Sequence, residues 1–270
     1  MKDMQDIIAH YETGVEQTRL HEGGSQIERI RTQELILRNL PDRKCSIADV
    51  GAGAGVYSFW LSALGHEVHF LDLSPGNVDY ARKQNESGRA VLSSLQQGDA
   101  RSLPYKDNSM DAVLLLGPMY HLIDADERAL ALRECNRVLK KNGILFTATI
   151  SRFASMFDGF FSHLVADPAF IPIMNKDLET GVHENPTTTQ NYFTTAYFHR
   201  PEEIAEELRA NGFTSVQWHA VDGFGWLIPG IGAKLGNADY QALLLDMLRL
   251  TESEPSLAGI SAHHLTIGYK

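Results

Sequence analysis

The sequence predicts an α/β fold built on a parallel sheet, and three observations carry that prediction. Ile47-Ala48-Asp49-Val50-Gly51-Ala52-Gly53-Ala54-Gly55 reads as a short buried strand, an acid and three glycines at alternate positions. A helical run from Val56 to Leu64 follows and stops at Gly65. Glu67-Val68-His69-Phe70-Leu71-Asp72 reads as a second strand ending in a carboxylate, about 20 residues beyond the first glycine. Asp111 to Leu116 is almost wholly apolar, as suits a parallel strand covered on both faces.

The remaining elements follow in order. Met4, Ile7, Ile8 and Tyr11 recur at one-face helical spacing, and a second helix is expected from Ser25 to Leu40, ended by Pro41. Gln97-Gly98-Asp99-Ala100 closes a third strand before the turn at Leu103-Pro104. A helix over Asp126 to Lys140 buries Ala131, Cys135, Val138 and Leu139, and Ile144 to Ile150 forms the fifth strand. The next helix has Pro201 near its first position and two glutamates in its first turn, and ends at Asn211-Gly212. Thr214 to Val221 is a sixth strand, with Val216, Trp218 and Ala220 on one face. A helix spans Asn237 to Leu250, and His263 to Tyr269 alternates as an antiparallel edge strand would.

Ser151 to Arg200 fits none of these core elements. It holds three prolines, five phenylalanines before Phe193 and the polar run Asn185 to Asn191, so it reads as an insertion between strand five and the next helix. Leaving from the carboxyl end of a strand, it either covers a site as a lid or packs on the surface through its aromatics. Asp222 to Gly230 leaves strand six at the same edge, as a pocket wall or a Gly-rich connection.

At 270 residues the chain can bury one large α/β core. A net charge of −10, without a sustained Lys/Arg cluster, argues against holding nucleic acid through its phosphates. No apolar run reaches a membrane span, and the polar first residues indicate neither a signal nor a transit peptide, so a cytoplasmic protein with no membrane partner is expected. Cys45 and Cys135 are expected as buried free thiols. No metal site is evident: His263 and His264 are adjacent in a strand and point to opposite faces, and neither cysteine belongs to a Cys-x-x-Cys pair.

Asp49-x-Gly51-x-Gly53-x-Gly55, Asp72, Gly98-Asp99-Ala100 and Arg137-Val138-Leu139-Lys140-Lys141-Asn142-Gly143, in this order over roughly residues 45 to 150, resemble the class I S-adenosylmethionine (SAM) dependent methyltransferases. The last piece usually ends Lys-Pro-Gly-Gly in that family, although Asn and Gly still favour the turn. A dinucleotide fingerprint would want Gly or Ala at position 56, where Val stands, which sets back a nicotinamide oxidoreductase.

The resemblance implies a Rossmann-like seven-stranded, mostly parallel sheet with an antiparallel last strand and helices on both faces; from their own patterns residues 1–44 are expected to lie over the cofactor end and residues 151–200 to form a substrate lid. It implies SAM as cofactor and S-adenosylhomocysteine (SAH) as product. Gly51, Gly53 and Gly55 would admit the methionine part of SAM, and Asp49 would hold its ammonium. Asp72 would accept the ribose hydroxyls, with Leu73 beside it. Asp99 would accept the adenine amino group, Ala100 would offer an amide to the ring, and the Leu116 or Gly117 carbonyl would reach the cofactor amine.

Methyl transfer needs alignment, exclusion of water and, for some acceptors, removal of a proton. His121, after strand four, can serve as that base, or can instead order its turn. Tyr120, Tyr57 and Tyr11 are candidates to line the same cavity or to pack the core. Tyr197 and His199 alternate toward one side of an extended segment and are candidate substrate contacts, as is Trp226 in the loop after strand six. The reading is a methyltransferase acting on a small molecule at oxygen or nitrogen. The alternatives are a protein or nucleic-acid target, or a SAM-binding regulatory protein without turnover. The sequence is silent on oligomeric state.

Overall fold

The computed structural model describes residues 19–88, 91–187, 189 and 192–270. The expected helix around Met4 to Tyr11 lies outside the described residues, and with it the Tyr11 candidate. Helix α1 (Ser25–Asn39) leads into β1 (Ser46–Val50), α2 (Val56–Ala63), β2 (Glu67–Asp72), α3 (Pro75–Glu86), β3 (Ser94–Gln97) and β4 (Met110–Leu115). The short α4 (Pro118–His121), α5 (Ala125–Val138) and β5 (Leu139–Ile150) follow. The inserted segment contains α6 (Ala154–Phe161), α7 (Phe170–Thr180) and the two-stranded ribbon β6 (Val182–His183) and β7 (Ala196–Tyr197). The core resumes with α8 (Pro201–Ala210), β8 (Thr214–Ala220), α9 (Ile231–Lys234), α10 (Ala238–Thr251) and β9 (His263–Tyr269).

The seven-stranded sheet has the order β3-β2-β1-β4-β5-β9-β8, parallel except where β9 runs antiparallel to both neighbours. Side chains alternate between two cores. Ile47, Val68, Phe70, Leu114 and Phe146 meet Leu35 and Ile36 of α1, Leu61 of α2 and Val78 of α3 on one face. Ala48, Leu71, Val113 and Leu145 meet Leu132, Cys135 and Val138 of α5 and Ile204 and Leu208 of α8 on the other. This double cover makes every residue of β4 buried, as its apolar run requires. Both cysteines are buried free thiols. Among the described residues no helix is long and apolar enough to cross a membrane.

Two expectations are corrected. β9 is not an edge strand: it lies between β5 and β8, and five of its seven residues are buried. Helix α5 ends at Val138 and β5 begins at Leu139, so Lys140 to Gly143 form an irregularity within the strand. Asn142 takes φ 63° there, and its amide donates to the carbonyl of Lys270 at 3.1 Å. The irregular stretch is held by Lys270, which follows the adjoining strand β9.

Candidate functional site

The carboxyl ends of β1, β2 and β4 converge on a cleft of about 160 Å³. Its lining includes Asp49, Gly51, Gly53, Asp72, Leu73, Asp99, Ala100 and Leu116, together with Tyr57, Tyr120 and His121. The sequence-predicted cofactor residues therefore come together, with the exception of Gly55. That glycine caps α2 at φ 79°, and a Cβ there would stand 2.9 Å from Cε2 of Phe59, so its role is helix packing. Gly53 is different: at φ 57° a Cβ would meet nothing within 4 Å and would project into open space.

The glycine turn is fixed by hydrogen bonds from the neighbouring strand. The amides of Gly51 and Ala52 donate to the Leu71 carbonyl at 2.8 and 3.2 Å, and that of Gly53 donates to Asp72 Oδ2 at 2.7 Å. Asp72 Oδ1 accepts from the Ser74 amide at 2.8 Å and Asn77 Nδ2 at 3.1 Å. Ser74 caps α3, with Pro75 at its first position, and so holds the end of β2 in place. Burial raises the Asp72 pKa despite these donors.

Asp49 is buried, and its Oδ2 accepts from Ser58 Oγ at 2.6 Å. Burial, with the nearby Asp72 charge, pushes its carboxyl up to about 7. Neither Asp49 nor Asp72 is bonded to a cation among the described residues. The cleft thus offers two buried carboxylates and an open glycine cradle, an acceptor set that fits a ligand bearing an ammonium and a vicinal diol. On the far side Arg101 holds Asp99 through Nη2 at 2.6 Å and its own amide at 2.9 Å. Burial opposes the charge, but the Arg101 hydrogen bonds keep Asp99 below the usual carboxylate range.

A larger cavity of about 480 Å³ adjoins this cleft, and Arg19, Glu28 and Tyr120 line both. The inserted segment supplies Phe170, Tyr192, Phe193 and Phe198 to its walls, and the loop after β8 supplies Trp226. Trp226 is fixed by its Nε1, which donates to the Ile260 carbonyl at 2.9 Å. Inside the inserted segment, buried His183 bridges Asp177 Oδ2 at 2.8 Å and the Tyr192 carbonyl at 2.6 Å, tying α7 to the ribbon. At another wall His263 Nδ1 donates to Asp222 Oδ2 at 2.9 Å.

Tyr120 and His121 sit together on α4, rings edge to face at 4.6 Å, with Phe193 at 6.1 Å from the imidazole. Tyr197 and His199 also lie together, ring centroids 4.7 Å apart, but line neither cavity. Arg128 of α5 stacks on the Tyr197 ring at 4.1 Å, and His199 is buried with Nε2 3.6 Å from Glu207 of α8. Charge pairing between α5 and α8 draws both away from the cavities. Sequence reasoning missed Arg19, Glu28, Arg101 and His263 as site residues. Among the described residues no three His, Cys, Asp or Glu side chains gather as a metal site.

Residues 48–147 match the family profile described as a methyltransferase domain. A demethylmenaquinone methyltransferase of Thermotoga maritima is 27% identical over 68% of this chain and 76% of its own. A ubiquinone biosynthesis O-methyltransferase of Azorhizobium caulinodans is 30% identical over 43% of this chain and 45% of its own. Among solved structures, a SAM-dependent methyltransferase from T. maritima superposes with TM-score 0.56 at 20% identity, over 97% of this chain and 99% of that one. Residues 48–147 are thus a methyltransferase domain, in a chain with the fold of SAM-dependent methyltransferases, and SAM is the methyl donor that this domain implies.

Proposed function

We propose that the enzyme methylates a small aromatic, quinol-like molecule at oxygen or nitrogen, held under the inserted segment. The observation that carries this is the larger cavity, aromatic on several sides and joined to the cofactor cleft at Tyr120. The two quinone-related relatives support the same substrate class.

In this reading Asp49 holds the ammonium of the donor and Asp72 its ribose hydroxyls, while Gly53 leaves room for the methionine part. Leu73 and Ala100 flank the adenine beside Asp99, whose Arg101 pairing fixes its position. The Leu116 carbonyl faces the amino-acid end. Bound SAM supplies an activated methyl on a sulfonium. The chain itself aligns the acceptor, keeps water out and receives its proton. Tyr120 orients the acceptor at the junction, His121 takes the proton, and residues 151–200 act as the lid. Tyr57 is buried beside the cleft and forms its wall.

The test is calorimetric titration with SAM, SAH and NAD, followed by transfer of a labelled methyl to a panel of quinols, catechols and aryl amines. Micromolar binding of SAM and SAH with turnover of a ring hydroxyl or amine is expected. Binding without turnover of any such ring would overturn the substrate class, and binding of NAD instead would overturn the cofactor.

A further inference from the structure

His263 stands at the first position of β9 and lines the larger cavity beside Glu28, and no step of the proposed transfer uses it. Its Nδ1 is committed to Asp222, which is itself held by Ser261 Oγ at 2.5 Å and by the His263 amide at 3.1 Å. That pairing fixes the ring orientation and places the proton on Nδ1. Nε2 makes no hydrogen bond among the described residues, on a ring that lines the cavity. Glu28 Oε2 lies 3.8 Å from Nδ1 and is in turn paired with Arg19 at 2.6 Å.

From this geometry we infer that His263 Nε2–H is the specificity donor of the acceptor site, hydrogen-bonding an uncharged oxygen, a carbonyl or hydroxyl, on the edge of the aromatic substrate. This rests on the reading of the larger cavity as the acceptor site. Burial opposes a charge on the imidazole, but Glu28 and Asp222 raise its pKa to about 9, so Nε2 carries a proton at neutral pH. The charges argue for a neutral ligand. Arg19 and the imidazolium balance Glu28 and Asp222, and Asp158, also on the wall, adds a further negative group. A carboxylate entering here would meet net negative charge, whereas a neutral oxygen meets only the donor.

The experiment is calorimetric titration of the full chain, saturated with SAH, with three probes of one shape: 2-acetylnaphthalene, 2-ethylnaphthalene and 2-naphthoate. The carbonyl compound is expected to bind about tenfold more tightly than the hydrocarbon, as a hydrogen bond from a charged donor allows, and His263→Phe to erase that difference. Equal binding of the carbonyl and hydrocarbon probes by the native chain would overturn the role of His263 while leaving the cavity as an apolar acceptor site. Tightest binding of 2-naphthoate would overturn the neutral-oxygen assignment. No binding of any probe would overturn the cavity reading and this inference with it. His263→Phe also strips Asp222 of its partner, so native protein with ¹⁵N-labelled histidine provides a second readout. The His263 Nε2 resonance should move on adding 2-acetylnaphthalene and stay put with 2-ethylnaphthalene; no movement with the first overturns the inference.

Discussion

The backbone amide of Gly53 donates to Asp72 Oδ2 at 2.7 Å, so the acid ending β2 fixes the glycine turn that ends β1. One carboxylate therefore shapes the cradle and faces the cleft. Asp72→Ala is expected to weaken SAM and SAH binding by about 30- to 100-fold, from the loss of charged hydrogen bonds to the ligand and of the turn's anchor. Calorimetry of the variant beside the native chain checks this, and a change below threefold would remove Asp72 from the site.

Gly53 and Gly55 separate binding from folding. Both adopt positive φ, so alanine at either costs about 1–2 kcal/mol of backbone strain. At Gly53 the added methyl enters open space beside the cleft, and SAM affinity should fall by about tenfold or more. At Gly55 it collides with Phe59, and the folded state should lose about 2–4 kcal/mol while the molecules that do fold keep their affinity. Urea denaturation and SAM titration of the two variants should show opposite patterns.

The ammonium role proposed for Asp49 predicts that SAM binding depends on pH. With its carboxyl near pH 7 in the fold and near 3.8 in the unfolded chain, the folded protein binds the extra proton between those values. The stability this group adds is fully present below 3.8 and is lost as pH rises to about 7. The ligand's ammonium needs the ionised form, so SAM affinity should climb with pH, by up to about tenfold per unit, and level off above about 7. Asp49→Asn should flatten both profiles. A native affinity independent of pH between 5 and 7.5 would exclude the ammonium role.

The sheet and the cofactor cleft were legible because local signals set them. The Asp49 to Gly55 turn, the acid closing β2 and the apolar run of β4 each fall within a few residues, and β2 and β9 match their expected limits. The larger cavity was less so. Asp222 and His263 meet only because β8 and β9 pair antiparallel, with Ala220 opposite His264, a relation that spacing along the chain does not contain. Alternation put Tyr197 and His199 on a common side, which the structure upholds, but the charges of Arg128 and Glu207 decide which side it is. β9 alternates through Thr266 and Gly268 yet is interior, because β8 pairs along its outer edge, while Leu208 and Phe213 pack on one face at Gly268.

Tyr197 therefore tests that correction. Tyr197→Leu removes the Arg128 stacking at 4.1 Å and should cost about 1 kcal/mol in thermal or urea denaturation. The KM for whichever ring compound is turned over should stay within twofold of native, because the ring lines neither cavity. A large rise in KM with unchanged stability would return Tyr197 to the substrate site.

His263 makes stability fall on the alkaline side. Its folded pKa of about 9 lies above the unfolded value near 6.5, so the stability it adds is fully present below about 6.5 and is lost as pH rises through about 9. The groups that face it are Glu28 on α1, Asp222 after β8 and Arg19 beyond Glu28; the two carboxylates stay ionised throughout this range, so the imidazole is the member of the cluster that titrates. The full shift is discounted for the 26% exposure of the ring, leaving about 2 kcal/mol between pH 6.5 and 10. Urea denaturation across that range should show this decline in the native chain and a flatter one in His263→Gln, whose amide can still donate to Asp222 without titrating. An equal decline in both would place the alkaline sensitivity elsewhere and leave the Asp222 pairing without a charge to explain it.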